Sequence, residues 1–432
     1  MKVREFASLF KPITEGPRPG RLGRCHNIQD LRREARRFLP RAVFDFVDGA
    51  AQDERTVLRN HEAFGDFDLL PRVLRDVGEV DLRTELLGCP SELPIALAPT
   101  GGTGLIRTEG ECDVAAAAGR LGIPCTLSTM SSRSIEEVAA STQTPLWFQL
   151  YVVRDRGRCR EIIQRARAAG YRALLVTVDT AVTGGRERDL RNGFMLPPTI
   201  GPRMLGQGIR RPRWSWQFVR GRMPTLGNFD DASYGIRDQR VRVRGQIDPT
   251  LNWDDLSWIT ETWGGPVVLK GVVSAVDAQL AAEAGVRGLV VSNHGGRQLD
   301  GAPATIDVLA EIVDAVGDRM EVLLDSGVRR GADVARALAL GASGCLIGRP
   351  FVYGLAAGGP AGVERAVRLL EGELRRTLAL LGATSVAQLD RSFIRPRSGA
   401  IPAGLNHGAG AGPDGRKPAV EGQEVGVQGN RR

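Results

Sequence analysis

The segment 321-EVLLDSGVRRGADVARALALGASGCLIGRP-350 contains two apolar runs, EVLLD and GCLIG, separated by an Ala/Arg-rich stretch that closes at Gly341. Short apolar runs without clean alternation suit strands buried on both faces of a parallel sheet. The stretch between them, GADVARALALG, reads as a helix stopped by its glycine. The segment is therefore a strand–helix–strand unit. Each strand runs out into a small polar turn, DSGVRRG after the first and GRP after the second.

The same unit recurs upstream. Further strands are expected at 94-PIALAPTGG, 124-PCTLST, 146-LWFQLYV, 173-ALLVTVDT, 267-VVLKG and 288-GLVVSNHGG. Helices are expected at 109-EGECDVAAAAGRLG, 134-SIEEVAAST, 157-GRCREIIQRARAAG and 274-SAVDAQLAAEAG, with Gly170 and Gly285 as stops. Eight strands alternating with helices predict an α/β fold, a (β/α)8 TIM barrel. A doubly wound sheet competes, but no dinucleotide fingerprint follows the first strand. The G-x-G-x-x-G match within 408-GAGAGPDG-415 has no strand before it and reads as accidental. Residues 1–27 are read as an N-terminal arm and 28–395 as the barrel domain. Within that domain, 28–92 form helices and loops covering one end, and 197–248 form an insertion or lid loop after the fourth strand. Residues 396–432 are expected to be a disordered tail.

Composition narrows the function classes. The chain has 432 residues, is 42% hydrophobic and 25% charged, and carries a formal charge of +8. Its arginines are dispersed and no nucleic-acid module is visible, so the charge does not indicate nucleic-acid binding. The six cysteines are scattered without a CxxC pair, which argues against a disulfide framework or zinc site. HExxH, G-x-S-x-G and Walker motifs are absent, and no metal is expected. With no apolar signal core and no run of about 18 apolar residues, the expected location is cytoplasmic.

The C-terminal strand ends of such a barrel face its active site. The residues there are Pro99, Thr100 and Gly101; Ser128; Gln149 and Tyr151; Thr177 and Asp179; Lys270; Ser292 to Arg297; Asp325 to Gly327; and Gly348 with Arg349. Caps and turns explain one or two of these, but not a polar group at the same end of every strand. After the last two strands, small residues let backbone N–H groups approach an anion while Arg329 and Arg349 add charge. A phosphate-bearing ligand is expected there. The competing reading is tight turns beside surface arginines. Lys270 is a lysine in an arginine-rich chain, and a compact ammonium suits charge developing on a cofactor ring. The bland alternative is a snorkelling side chain. His294, one of only four histidines, stands at a strand end among glycines. Asp179 could lie across from it, and a His–carboxylate pair is a plausible general base. Alone, such a histidine is more often structural; Arg186 and Arg297 nearby point instead to a carboxylate substrate.

At 292-SNHGGRQLDGAPATIDVL-309 the chain resembles the FMN-dependent L-2-hydroxy-acid oxidase/dehydrogenase family, which includes glycolate and lactate oxidases, mandelate dehydrogenase and the flavin domain of flavocytochrome b2. LPIALAPTG, FQLYV, LLVTVDT, GRERDLRNGF, VVLKG, LLDSGVRRGADVARALALGA and IGRP extend the resemblance across roughly residues 27–395. It implies oxidation of a 2-hydroxy acid to the 2-keto acid, with FMN across the barrel mouth. Pro99 to Gly101, Ser128, Gln149 and Thr177 would hold the flavin ring. Lys270 would stabilise its reduced anionic form, and Ser292 would contact the ribityl region. Asp325, Gly327, Arg329, Gly348 and Arg349 would hold the ribityl chain and phosphate. Arg186 and Arg297 would grip the substrate carboxylate, and Tyr151 would bond near the reacting oxygen. His294 would be the base, oriented by Asp179. A homotetramer is also implied.

Three positions tune that expectation. Where the family usually has a carboxylate-binding tyrosine, 42-AVFDFVDGA-50 has Phe46, which forfeits a hydrogen bond of roughly 1.5–3 kcal/mol and favours a bulkier or more apolar acid. Met130 falls where glycolate oxidases carry tryptophan. Gly101, with GRERDLRNGF, resembles dehydrogenases that reduce a quinone or other carrier more than oxidases that use O2. A lactate- or mandelate-like substrate is expected. The alternatives are an O2-using oxidase producing H2O2, an FMN enzyme of specialised metabolism, and a non-catalytic flavoprotein, which the presence of His294 and Lys270 disfavours. Finally, 209-IRRPRWSWQFVRGRM-223 interleaves basic residues with Trp214, Trp216 and Phe218, as a membrane-surface segment would. A lid or subunit contact is the competing reading.

Overall fold

The computed structural model describes residues 20–194, 202–222, 224–229 and 247–397, without the side chains of 202–205. The tail from 398, most of the N-terminal arm and part of the insertion therefore lie outside the described residues.

Eight parallel strands close a barrel: β1 Ile95–Leu97, β2 Cys125–Ser128, β3 Leu146–Leu150, β4 Ala173–Thr177, β5 Val267–Val272, β6 Gly288–Val291, β7 Glu321–Asp325 and β8 Gly344–Ile347. Each pairs with its neighbours in chain order, and β8 returns to β1 with Cys345 opposite Ile95. The strands lack polar alternation because both of their faces are buried. Leu97, Phe148, Leu174, Leu269, Leu289, Leu324 and Ile347 belong to the core shared with the surrounding helices. Ala96, Trp147, Leu175, Val268, Val290, Leu323 and Leu346 form a separate cluster, the filled barrel interior.

The segment 28–92 closes both ends of the barrel, not one as the sequence suggested. Of three helices, α1 Ile28–Phe38, α2 Arg41–Asp48 and α3 Arg55–Glu62, the first packs on the helix that follows β8 and the other two reach the C-terminal mouth. There Ala51 N donates to Gly296 O at 2.9 Å, Gln52 N to Gly185 O at 2.9 Å, and Asn60 and Asn293 exchange two side-chain bonds of 2.8 Å. At the other end a hairpin pairs Thr84–Leu86 with Cys89–Ser91 through Leu87 (φ +51°) and Gly88 (φ +73°). Positive φ at both turn residues matches the favoured hairpin twist, although leucine is an unusual occupant. Leu86 and Leu87 fill the floor of the barrel interior, and Leu87 N donates to Glu321 at the start of β7. The hairpin's strands are too short to have announced themselves.

Four described helices lie between β4 and β5: α4 Glu187–Asn192, α5 Pro202–Ile209, α6 Pro212–Arg220 and Asp255–Trp263; after β8 come α7 Arg349–Gly358 and α8 Pro360–Leu381. Trp214 of α6 is buried, donates to Leu105 O at 2.8 Å and stacks on Phe218 at 4.8 Å. These two aromatics are therefore anchors to the barrel, not members of an exposed face. Ile209, Trp216 and Val219 are the exposed apolar residues there. At the C-terminal end, Ile394–Pro396 pairs antiparallel with Phe67–Leu69, so the strand enters the stretch read as tail.

Candidate functional site

Alternation along the strands carries one further inward layer above the apolar interior. It consists of Ser128, Gln149, Thr177, Lys270, Ser292 and Asp325, all buried, with the small residues Ala98 and Gly348. Buried polar groups need partners, and these supply one another. Ser128 Oγ donates to Gln149 Oε1 at 3.0 Å, and Gln149 Nε2 donates to Thr177 Oγ1 at 2.9 Å. Across the barrel, Lys270 Nζ donates to Ser292 Oγ at 2.9 Å and to Asp325 Oδ2 at 2.8 Å, while Ser292 Oγ donates to the same carboxylate at 2.7 Å. Burial works against the charge on Lys270, yet Asp325 and Asp179 outweigh it and hold the ammonium above its ordinary value. Asp325 is likewise kept below the carboxylate range by Lys270 against the pull of burial. In this structure Asp325 is first of all the counter-ion of Lys270. Beside β1, Pro99 and Thr100 are half-buried, and Gly101 packs so closely that a Cβ would lie 2.9 Å from Met130 O.

His294 follows β6 with φ +58°, and Gly295 and Gly296 continue at +66° and +75°. This left-handed run turns the imidazole into the mouth, and glycine adopts it without penalty. Nδ1 of His294 is 3.1 Å from Asp179 Oδ1, and Nε2 is 3.3 Å from Tyr151 Oη. Burial pushes His294 below its ordinary value of 6.5, against Asp179 and with Lys270 and Arg186. Asp179 stays ionised because His294 and Lys270 overcome its own desolvation. Burial raises the Tyr151 phenol. With Nδ1–H directed at the carboxylate, the neutral ring presents Nε2 as an acceptor.

Four half-buried arginines surround this centre, and among the described residues their guanidinium groups bond only to neutral oxygens. Arg297 Nη1 donates to Phe46 O at 2.7 Å and Gly49 O at 3.0 Å, and its guanidinium lies 5.1 Å from the Phe46 ring centroid. Arg186 Nη2 reaches Gln298 Oε1 at 3.4 Å. Arg329 Nη1 donates to Val328 O at 2.7 Å, and burial lowers this group to about 10. Arg349 donates to Val47 O at 3.1 Å, Gly295 O at 2.9 Å and Gly49 O at 2.8 Å. No carboxylate of the described residues is bonded to these four guanidinium groups, so the cluster favours anions.

The cofactor, substrate and catalytic residues expected from the sequence lie at this mouth, but not all for the reason expected. Gly327 (φ +91°) has no room for a Cβ, which would meet Asn60 O at 2.1 Å, so it is needed to seat α3. Other residues went unnoticed. Gly271 (φ +113°) sits in a bulge of β5, where a Cβ would lie 2.6 Å from Asp179 Cβ. Gln298 braces Asp179 O at 3.1 Å. Asp48 gathers arginines from two helices. Sequence offered a hint only for Gly271, which directly follows Lys270. Among the described residues no group of His, Cys, Asp and Glu could hold a metal ion.

Comparison with known proteins extends this geometry. The sequence model of the FMN-dependent dehydrogenase family matches residues 35–396. An L-lactate dehydrogenase of Caulobacter sp. (strain K31) is 47% identical over 369 residues, covering 84% of this chain and 97% of that protein. The crystal structure of the monotopic membrane protein (S)-mandelate dehydrogenase superposes with a TM-score of 0.84 at 38% identity, over 87% of this chain and 100% of that one. A mandelate oxidase bound to (S)-2-phenylpropionate matches with a TM-score of 0.72 at 39% identity, over 84% and 96% of the two chains.

Proposed function

The chain belongs to the FMN-dependent dehydrogenase family, and from that premise we propose that it oxidises an L-2-hydroxy acid to the 2-keto acid at the C-terminal mouth of its barrel. The observation that carries the assignment is the Tyr151–His294–Asp179 chain, set between Arg186 and Arg297, which have neutral oxygen partners only.

The mouth suits the cofactor. A Cβ on Gly348 would first touch Ala98 Cβ, at 3.8 Å, so the end of β8 beside Ala98 is lined by small groups over which a flat ring can lie. Ser128, Gln149 and Thr177 offer a polar edge on one side and Lys270 a cation on the other. Arg329 and Arg349 supply positive charge for the phosphate. FMN, when bound, accepts the two electrons released by the substrate.

The protein's own groups do the rest. Arg186 and Arg297 bind and orient the carboxylate. Tyr151 fixes the hydroxyl beside His294, whose neutral Nε2 takes the proton. Asp179 holds the tautomer and stabilises the imidazolium that results. Lys270, pinned by Asp325, supplies fixed positive charge without reorganising.

Phe46, packed on Phe194 at 5.0 Å and under Arg297, supplies an apolar wall and favours a lactate- or mandelate-like acid over glycolate. A quinone or other carrier is the favoured acceptor. Gly101 is closed against Met130, and the alanine typical of oxidases would displace that backbone. The mandelate oxidase likeness keeps O2 as the second reading. Exposed Ile209, Trp216 and Val219, with Arg220 over Trp216 at 3.7 Å, support peripheral contact of a cytoplasmic enzyme with the membrane's inner face. No described helix is long and apolar enough to cross a membrane. Assembly as a homotetramer is read from the family resemblance, and light scattering tests it.

The deciding experiment is an anaerobic visible spectrum during addition of L-lactate, L-mandelate and glycolate. Bleaching of a flavin band by L-lactate or L-mandelate is expected, with slow recovery in air for a dehydrogenase and fast recovery with H2O2 for an oxidase. A protein that purifies without flavin and cannot be loaded with it overturns the assignment. The variant His294→Gln is expected to keep FMN and lose its reduction. For the membrane contact, tryptophan emission unchanged by anionic vesicles removes that reading.

A further inference from the structure

Asp48 ends α2 at the rim of the mouth, but its carboxylate, 5% exposed, bonds none of the site residues described above. Four donors fill its two oxygens. Arg32 reaches Oδ1 with Nε at 2.5 Å and Oδ2 with Nη2 at 2.8 Å. Tyr353 Oη of α7 donates to Oδ1 at 2.8 Å, and Arg188 Nη1 of α4 donates to Oδ2 at 3.2 Å. One carboxylate thus ties α1, α4 and α7 to the end of α2. Burial disfavours its charge, but Arg32 and Tyr353 keep it ionised.

The backbone on either side of Asp48 faces the other way, into the site. The carbonyls of Phe46, Val47 and Gly49 accept from Arg297 and Arg349. Gly49 O accepts from both arginines, at 3.0 Å and 2.8 Å. These are end-of-helix carbonyls, whose partial negative charge suits guanidinium donors. The turn has no slack: a Cβ on Gly49 would lie 2.6 Å from Asp45 O.

We infer that Asp48 is a positioning residue that sets, through the turn 46–49, the placement of both the substrate-carboxylate arginine Arg297 and the cofactor-phosphate arginine Arg349. The inference rests on the roles proposed above for those two arginines. An asparagine at this position would present an N–H to one of the arginines that Asp48 now binds, and the turn would have to move. Since Gly49 O serves both arginines, substrate affinity and cofactor affinity would be lost together. A carboxylate that only glued helices would change stability and neither affinity.

The test uses holoenzyme variants Asp48→Asn and Tyr353→Phe, with Arg297→Lys and Arg349→Lys as references. KM and kcat are measured with whichever of L-lactate or L-mandelate bleaches the flavin, FMN dissociation by recovery of free-flavin fluorescence, and Tm by heating. Asp48→Asn is expected to raise KM and the FMN Kd in parallel, each by roughly tenfold, with a much smaller change in kcat. Tyr353→Phe removes one neutral donor and should shift both in the same direction by about threefold; it decides the matter if the first variant does not fold. A lowered Tm with KM and FMN Kd both unmoved in the folded variants overturns the inference. If Arg297→Lys leaves KM unchanged and Arg349→Lys leaves FMN binding unchanged, the arginine roles fail and the coupling falls with them.

Discussion

His294 works as a base only while neutral, and burial holds it neutral further into acid than a free imidazole. A lowered value means the competent form persists below the ordinary 6.5 and is lost only as pH falls through the lowered value. The acid limb of kcat/KM, which reports the free enzyme, is therefore expected below that point. Asp179 acts in the opposite sense, raising His294, so Asp179→Asn should move the limb further down while kcat falls by about a hundredfold or more. A pH–rate profile of both proteins checks the pair, and an upward shift in the variant would refute the arrangement. Lys270 gives a stability prediction at the same scale. Lys270→Met would strand Asp325, a buried carboxylate, and should cost about 3–5 kcal/mol in denaturant unfolding. A loss well under 1 kcal/mol would mean that Asp325 is not dependent on Lys270. These residues were legible because they end apolar runs at one side of the sheet. Asp48 was not: its partner Tyr353 is 305 residues away, and nothing local in VDGA marks a carboxylate that will be surrounded by arginines.

Among the elements, β5 decides how Lys270 and Asp179 come to share a site. The strand is regular up to Lys270, then shifts register before Val272, with Gly271 in the bulge at φ +113°. A bulge of this kind re-aims side chains at a barrel rim. Gly271→Ala combines a backbone conformation that alanine avoids with a 2.6 Å contact to Asp179 Cβ. It is expected to cost about 1–3 kcal/mol and to cut flavin reduction sharply, because Asp179 must move from His294. Stopped-flow reduction and thermal melting together check this, and normal reduction would show that Asp179 tolerates displacement. The barrel strands could be read in advance because burial on both faces leaves an apolar run of strand length. The hairpin at Thr84–Leu86 and Cys89–Ser91 could not, because its strands are three residues each and its meaning lies in Leu86 and Leu87 meeting the barrel interior. Gly327 was legible as a special position but not for its cause. A phosphate loop and a close seat for α3 ask for the same residue.

On the scale of the whole molecule, the barrel is stoppered. Leu86 and Leu87 seal its N-terminal end, its interior is filled by apolar side chains, and α2 and α3 with the turn 46–49 crowd the opposite rim. With the floor sealed among the described residues, acid, keto acid and oxidant are expected to share the C-terminal mouth. The keto acid has to leave before the oxidant can draw near the same centre, so the two halves of the cycle take turns. Steady-state rates at varied acid and acceptor should then give parallel double-reciprocal lines, the signature of a ping-pong order. Intersecting lines would reveal a second entrance, and the floor hairpin would be the first place to look for it.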